Sequence, residues 1–431
     1  MRWVPSFPGD LMRRHAPLNL AFLVCGLLAG PRGATCAAET VGGCIPLVRI
    51  GLAPEAAEVR VGARGDWFLG ILGASSRSTR IPAAEVWTLR AEGGRLVAID
   101  AAGRHRGTTP DTVFAYPDDL ERGPLLFGGQ PFRGEFLAWA VGDRVTLVDA
   151  VDLESYLAAV LPLEMGPQPA SREAALRAQA VAARSYTLSM MGRWADRGFD
   201  LLPTVEDQVY GGLAAERPGC TAAVEATRGL VGVDAAGPIR AFYSSTCGGH
   251  TAAPEEVWKR PPAPYLKGVR DLSGRAEHSF CSASPFFRWK EEWTGAQFES
   301  AVRSGLHRAR PGWDEKKYGR LTGVSLCGKS VSQRAAPLRL SFQHGSVDLA
   351  GDEVRWVVRR PGGEGLRSAL LTSVQATRRK GRVTRVRMSG QGYGHGVGMC
   401  QFGAMGMAEA GYTHEQIFRF YYRGAELHRY Y

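Results

Sequence analysis

From Pro46 to Val151 the chain alternates short apolar runs, among them Leu47-Val48-Arg49-Ile50, Trp67-Phe68-Leu69 and Val145-Thr146-Leu147-Val148, with clusters of Gly, Asp and Pro. That spacing predicts strands joined by turns, a β-rich region over 46–151. The pattern then changes period. Asp152 precedes Leu153 as an N-cap, and Pro162 is expected to close the helix after Val160 and Leu161, because proline cannot donate to the helical ladder. A turn through Leu163-Glu164-Met165-Gly166-Pro167 follows. Ser171 and Glu173 then open a long helix predicted to reach Trp194, with Leu176, Ala180, Ala183, Thr187, Met190 and Trp194 stepping along one face. Val231, Ile239 and Ala241-Phe242-Tyr243 read as strands, Thr294 to Leu306 as a helix, and Leu321 to Met388 as strand and turn. The last element is a helix with a capping box, Thr413 and Gln416, expected to bury Ile417, Phe420 and Tyr421. This order predicts an α+β fold. A helical segment over 152–290 is combined with the β-rich N-terminal region and a β-rich C-terminal segment over 291–427 that carries a glycine-rich loop.

Composition adds exclusions. With 45% hydrophobic and 22% charged residues in 431, the chain is an ordinary globular one, neither collagen-like, coiled-coil nor disordered. Its net charge is +11, but only 7 of 53 cations are Lys and no nucleic-acid motif accompanies them, so no nucleic-acid partner is expected. The basic run from Arg355 to Arg387 reads as solvated strand faces. Arg13, Arg14 and His15 precede the apolar run Leu18 to Leu28, and small residues around Ala34 to Ala38 follow. That is the layout of a secretory signal over 1–38, with an uncleaved membrane anchor as the alternative, and the mature chain is expected outside the cytoplasm, in a periplasm or cell wall. Cys44, Cys220, Cys247, Cys281, Cys327 and Cys400 remain after it, in a compartment that can oxidise thiols.

Four constellations carry candidate chemistry. Gly323 to Ser330 formally matches a phosphate-binding loop, but Tyr318-Gly319-Arg320 before it and Pro337 after it deny the strand and helix that such a loop needs. Cys247-Gly248-Gly249-His250 and His278-Ser279-Phe280-Cys281 offer a C-x-x-H and an H-x-x-C pair. Cys247, His250, His278 and Cys281 would close a structural zinc site; the alternatives are a Cys247 to Cys281 disulfide, or neither. A Cys–His nucleophile built from Cys247 or Cys400 is a further, less specific reading. The run from Gly390 to Gly403 has glycine at nearly every second position, as if to admit a bulky substrate, with His395 exposed to it and Gln401 offering donor and acceptor. Glu164, between apolar Leu161, Leu163 and Met165, is a candidate general acid, though composition gives it no privilege over Glu154 or Glu173.

Together, Val151 to Leu157 through Glu164-Met165, Ala178 to Tyr186, Asp207 to Gly212, Tyr243 to Thr251 with Trp258 and Tyr265-Leu266, and Gly394 to Ala404 closely resemble the SpoIID/LytB family. The resemblance spans about Leu47 to Leu427. It implies an exported SpoIID-like α+β protein acting on peptidoglycan glycan strands. The activity would be that of a lytic transglycosylase leaving 1,6-anhydro-N-acetylmuramic acid ends on peptide-poor strands, or that of a noncatalytic enhancer of a partner cell-wall amidase. It further implies Glu164 as catalytic acid and base, with Arg184, Tyr393, His395 and Gln401 binding substrate and no required cofactor. Cys400 stands where the family often has Ser, which puts a thiol or a bridge near the site, and the surroundings of Asp207 lack some expected polar residues.

Overall fold

The computed structural model describes residues 44–72, 78–272, 278–328, 332, 334 and 337–431; the segment 1–38 expected to be a signal, Lys329 and Ser330 lie outside them. The fold is mixed α+β. Strands β1 (Leu47–Ala56), β2 (Glu58–Ala63), β3 (Trp67–Ile71), β4 (Thr79–Ile81), β5 (Trp87–Glu92) and β6 (Arg95–Ile99) come first. They are followed by β7 (His105–Thr109), β8 (Val113–Pro117), β9 (Leu125–Phe127), β10 (Gln130–Phe132), β11 (Glu135–Val141) and β12 (Arg144–Asp152). They form two six-stranded sheets, ordered β1-β12-β11-β8-β3-β4 and β10-β9-β2-β5-β6-β7. The sheets share one core: Trp67 of β3 meets Trp87 of β5 edge to face at 6.2 Å. Strand β12 is buried on both faces, because Leu147 joins that core while Val148 packs with Phe199 behind it.

Helix α1 (Leu153–Met165) starts where expected, with the Asp152 carboxylate accepting from Ser155 N–H at 3.0 Å. It does not stop at Pro162. Proline deletes one hydrogen bond, and burial of Val160, Leu161 and Met165 holds the remaining turn until Gly166, at φ +66°, ends it. Helix α2 (Glu173–Met190) ends short of Trp194, because Met191 turns extended and Gly192 takes φ +78°. It is buried around almost its whole circumference from Ala175 to Thr187, so it is the central helix of the core rather than a helix with one buried face.

The middle of the chain adds α3 (Pro218–Ala226), β13 (Leu230–Asp234), β14 (Gly237–Pro238), β15 (Tyr243–Ser244) and α4 (Pro254–Trp258). A second core then builds on β16 (Arg288–Thr294), α5 (Gly295–Ala309), α6 (Glu315–Tyr318), β17 (Leu321–Leu326), β18 (Leu338–Phe342) and β19 (Gly345–Leu349). It is completed by α7 (Glu353–Val357), β20 (Leu371–Arg379) and β21 (Arg382–Gln391), with the strands in two three-stranded sheets. Gly323 lies inside β17, so the formal phosphate-loop match falls on a strand. The chain then returns to the first core through β22 (Met399–Cys400), α8 (Gln401–Glu409), α9 (His414–Tyr421) and β23 (Glu426–Arg429), which pairs with β13. The Thr413–Gln416 capping box is present, and α9 buries Phe418 beside Ile417 and Tyr421 where Phe420 was expected. No helix among the described residues is long and apolar enough to cross a membrane.

Candidate functional site

Two tracts far apart in sequence are laid side by side by a short parallel pair, Tyr243 opposite Met399 and Ser244 opposite Cys400. The seam extends beyond it: Met399 N–H donates to Phe242 O and Phe402 N–H to Ser245 O, each at 3.0 Å. The glycine run serves this seam. A Cβ on Gly398, at φ +73°, would lie 1.9 Å from Phe242 O, and one on Gly396 would lie 2.4 Å from the Arg334 guanidinium carbon. These glycines therefore admit the chain's own backbone and Arg334, which corrects the expectation that they open a surface to substrate.

Glu164 sits in the last turn of α1, half-buried, where distant tracts converge. Burial raises its pKa above the usual carboxylate value, against the opposing pull of the Val209 backbone N–H and the Gln401 side chain. Gln401 is itself buried, and its Nε2 completes no hydrogen bond of ordinary geometry among the described residues, so an amide donor is left beside the carboxyl. Behind them runs a polar chain: Tyr156 Oη donates to Gln208 Oε1 at 3.3 Å, and Gln208 Nε2 donates to Tyr243 Oη at 2.8 Å. Burial first and the Glu164 charge second push the Tyr243 phenol well above its usual pKa, so it stays protonated with a hydrogen still to give. The apolar pocket expected from Leu161, Leu163 and Met165 is not what surrounds Glu164. Consecutive helical residues point about 100° apart; Leu161 and Met165 turn into the core and Leu163 is 46% exposed.

The other predicted residues separate. Arg184 is 0% exposed, and its Nε and Nη2 grip Glu154 at 2.8 and 2.7 Å while Nη1 donates to Leu230 O at 3.1 Å. With its donors spent inside the core, it reaches no substrate, and its expected binding role is corrected to a structural one. His395 is half-buried and tied into the frame. Its Nδ1 accepts from Val397 N–H at 3.0 Å, its ring packs 4.9 Å from Trp258, and burial lowers its pKa to about 4, so it stays neutral as a fastener of the seam. Tyr393 is 38% exposed and stacks on Phe286 at 4.6 Å. Asp207 is engaged by Arg193, by Trp194 Nε1 at 3.0 Å and by Leu202 N–H at 2.9 Å, which makes it a loop anchor.

Beyond the seam lies a sulfur cluster. Cys247 Sγ is 3.6 Å from Cys281 Sγ, and with Cys400 Sγ and an Asp271 carboxylate oxygen these donor atoms all lie within 4.8 Å of one another, every residue buried. The histidines of the expected zinc set do not join it: His250 Nδ1 is 2.6 Å from Thr251 O, and His278 is exposed. The expected four donors are thus corrected to three cysteines and an aspartate. A C-x-x-H spacing places sulfur and imidazole near one another only if the intervening turn points both inward, and Gly248 and Gly249, at φ +73° and +102°, turn His250 away.

Sequence reasoning assigned no role to Tyr243, Gln208 or Asp271. The first two lie in tracts that carry the family resemblance, which is a usable signal; Asp271 has none, since only the fold brings it to the cysteines.

Residues 141–233, which contain Glu164 and α2, match the SpoIID family, described as Stage II sporulation protein, and residues 275–398 match a domain of unknown function, DUF8618. The chain is 29% identical over 304 residues to an uncharacterized protein of Brachyspira hyodysenteriae, covering 70% of this chain and 74% of that protein. It is 31% identical over 303 residues to the amidase enhancer of Bacillus subtilis, covering 64% of this chain and 40% of that protein. It is 28% identical over 296 residues to stage II sporulation protein D of the same organism, covering 65% and 75%.

Proposed function

The chain belongs to the SpoIID/LytB-like family, with a cell-wall-related function, and from that premise we propose that it is an exported lytic transglycosylase whose general acid and base is Glu164. The observation that carries this reading is a carboxyl with a raised pKa that, among the described residues, has no cation acting on it and faces an amide nitrogen without an ordinary hydrogen bond. Such a group holds its proton to higher pH than an ordinary carboxyl and can give it up to a leaving oxygen. Among the described residues no second carboxylate acts on Glu164. Hydrolysis by paired carboxylates is therefore less suited to this site than a reaction in which one carboxyl serves twice.

In that reaction Glu164 protonates the bridging oxygen as it leaves C1 of N-acetylmuramic acid. The resulting carboxylate takes the proton from that sugar's own C6 hydroxyl as its oxygen bonds to C1. The product is a 1,6-anhydro end, the proton returns to Glu164, and no water is consumed. The nucleophile is already tethered, which supplies the advantage of an intramolecular reaction. In this reading the Gln401 amide and the protonated Tyr243 phenol hold the sugar. Arg193, Arg240 and Arg260 all act on Tyr186, which acts in turn on Tyr243, a set of cations suited to the lactyl carboxylate that a strand without stem peptides exposes.

Purified full chain incubated with denuded glycan strands should release anhydro-ended products detectable by mass spectrometry, and Glu164→Gln should release none. The relative named as an amidase enhancer defines the other result. Wild-type protein that yields no anhydro ends yet speeds an added cell-wall amidase would replace the catalytic reading with a noncatalytic one.

A further inference from the structure

The sulfur cluster contains an electrostatic problem. Arg334 is 0% exposed, its Nη2 donates to Cys247 O, and its Nε and Nη1 have no hydrogen-bond partner among the described residues. The anionic groups acting most strongly on its charge are Cys247, Cys400 and Cys281. A buried guanidinium with no counter-charge costs several kcal/mol. Three neutral thiols, or a disulfide plus one thiol, would leave that cost standing, whereas thiolates would remove it.

We propose that Cys247, Cys281, Cys400 and Asp271 form a closed, tetrahedral zinc site that Arg334 neutralises from outside. The spacing fits. The 3.6 Å between Cys247 and Cys281 sulfurs is close to the ~3.8 Å edge of a tetrahedron with ~2.3 Å zinc–sulfur bonds, and far from the ~2.05 Å of a disulfide. Outer contacts of the kind that orient metal ligands are already in place. Cys400 Sγ accepts N–H bonds from Cys247 at 3.1 Å and Gly403 at 3.3 Å, at the N-terminus of α8. Asp271 accepts from Tyr421 Oη at 2.7 Å and from Ser279 Oγ at 2.8 Å. Its Oδ2 lies 3.3 Å from Cys247 Sγ, so the metal replaces the thiol proton now shared between them. Binding releases the thiol protons to solvent and moves no electrons. The ion would tie together Cys247 beyond β15, Cys400 at the junction of β22 and α8, Asp271 and Cys281, one residue from Gln401.

The test uses the full chain purified without reductant from cells supplied with zinc sulfate. The expected result is one zinc per chain by elemental analysis, with Cys247, Cys281 and Cys400 resisting alkylation until a chelator or denaturant is added. Cobalt substitution should give thiolate-to-metal absorption that weakens in Cys400→Ser. Asp271→Asn, which retains partners for Tyr421 and Ser279, should hold zinc at least about tenfold less tightly, and it keeps the test open if Cys400→Ser does not fold. The double variant His250→Ala/His278→Ala should keep its zinc. A zinc-free protein whose mass is short by two hydrogens would overturn the proposal in favour of a disulfide; zinc-free protein with three free thiols, or zinc lost only in the histidine variant, would overturn it too. None of these readouts depends on glycan cleavage.

Discussion

Helix α1 carries a carboxylate at each end, and its surroundings treat the two in opposite ways. Glu154, in the first turn, is buried, and burial alone would raise its pKa; the Arg184 hydrogen bonds and charge, with the Tyr431 hydroxyl and the Gly229 N–H, together outweigh that and hold it below the usual value. Glu164, in the last turn, is also desolvated, but a backbone N–H and an amide are all that oppose the rise, and its pKa ends high. A full counter-charge fixes a carboxylate in one state for structural use. Neutral dipoles leave it able to change state, which is what an acid and base must do.

The most severe test of this contrast is Glu164→Gln. The amide keeps the shape and can still meet the Val209 N–H, so the melting temperature should be nearly unchanged while anhydro-product formation falls by roughly 10²–10⁴-fold, the usual worth of a positioned proton donor. At the other end the effects should reverse. Arg184→Met strands Glu154 as a buried charge and should cost about 3–5 kcal/mol of stability, and adding Glu154→Leu should recover much of it. Denaturant melts of the single and double variants measure this. Glycan cleavage per folded molecule in Arg184→Met should stay near wild type, and a specific loss of cleavage there would return Arg184 to the substrate site.

Why the sequence shows one end better than the other follows from the range of the contacts. The Asp152 cap, the Thr413–Gln416 box and the starts of α1 and α2 depend on neighbours a few residues away, and all lie where local pattern puts them. Pro162 misleads because packing outweighs one lost hydrogen bond. Glu154 and Glu164 look alike as residues; what separates them is Arg184 across the helix pair and Gln401 from the distant tract that follows β22, and neither periodicity nor composition encodes those. The tracts of the family resemblance do mark Glu164 and Gln401, but they equally mark Arg184 and His395, whose work is to hold the frame.

A finer adjustment of the same contrast is Gln401→Ala. The Gln401 side chain lowers the Glu164 pKa, so its removal should raise that pKa further. Because the reaction begins with protonated Glu164, the alkaline fall of activity should move to higher pH, while the maximal rate drops roughly tenfold, about the ~1–1.5 kcal/mol of one neutral hydrogen bond. Rates measured across pH on denuded strands read both effects, and an unmoved alkaline limb would mean that the amide does not act on Glu164.

The prediction expected to leave cleavage untouched concerns a third carboxylate, which separates a raised pKa from a functional one. Asp149 on β12 is 0% exposed, and burial lifts it from 3.8 to about 7 despite the Tyr210 hydroxyl that donates to it at 2.8 Å. No cation pairs with it, as with Glu164, but it is sealed between β12 and its packing partners and no substrate can reach it. Its consequence is thermodynamic. Below its unfolded pKa of 3.8 the group is protonated in both states and contributes nothing; as pH rises toward about 7 the unfolded chain sheds the proton first, so stability falls, and above about 7 the loss is complete. His395 works the other way, since its folded pKa of about 4 takes stability away as pH falls from 6.5. Comparing wild type with Asp149→Asn cancels that term and every other. The variant should lack a loss of a few kcal/mol at most between about pH 4 and pH 7, seen as melting temperatures that diverge with rising pH, with cleavage per folded molecule unchanged. Parallel melting curves across that range would mean Asp149 ionises normally, and burial alone would then no longer account for the raised pKa of Glu164.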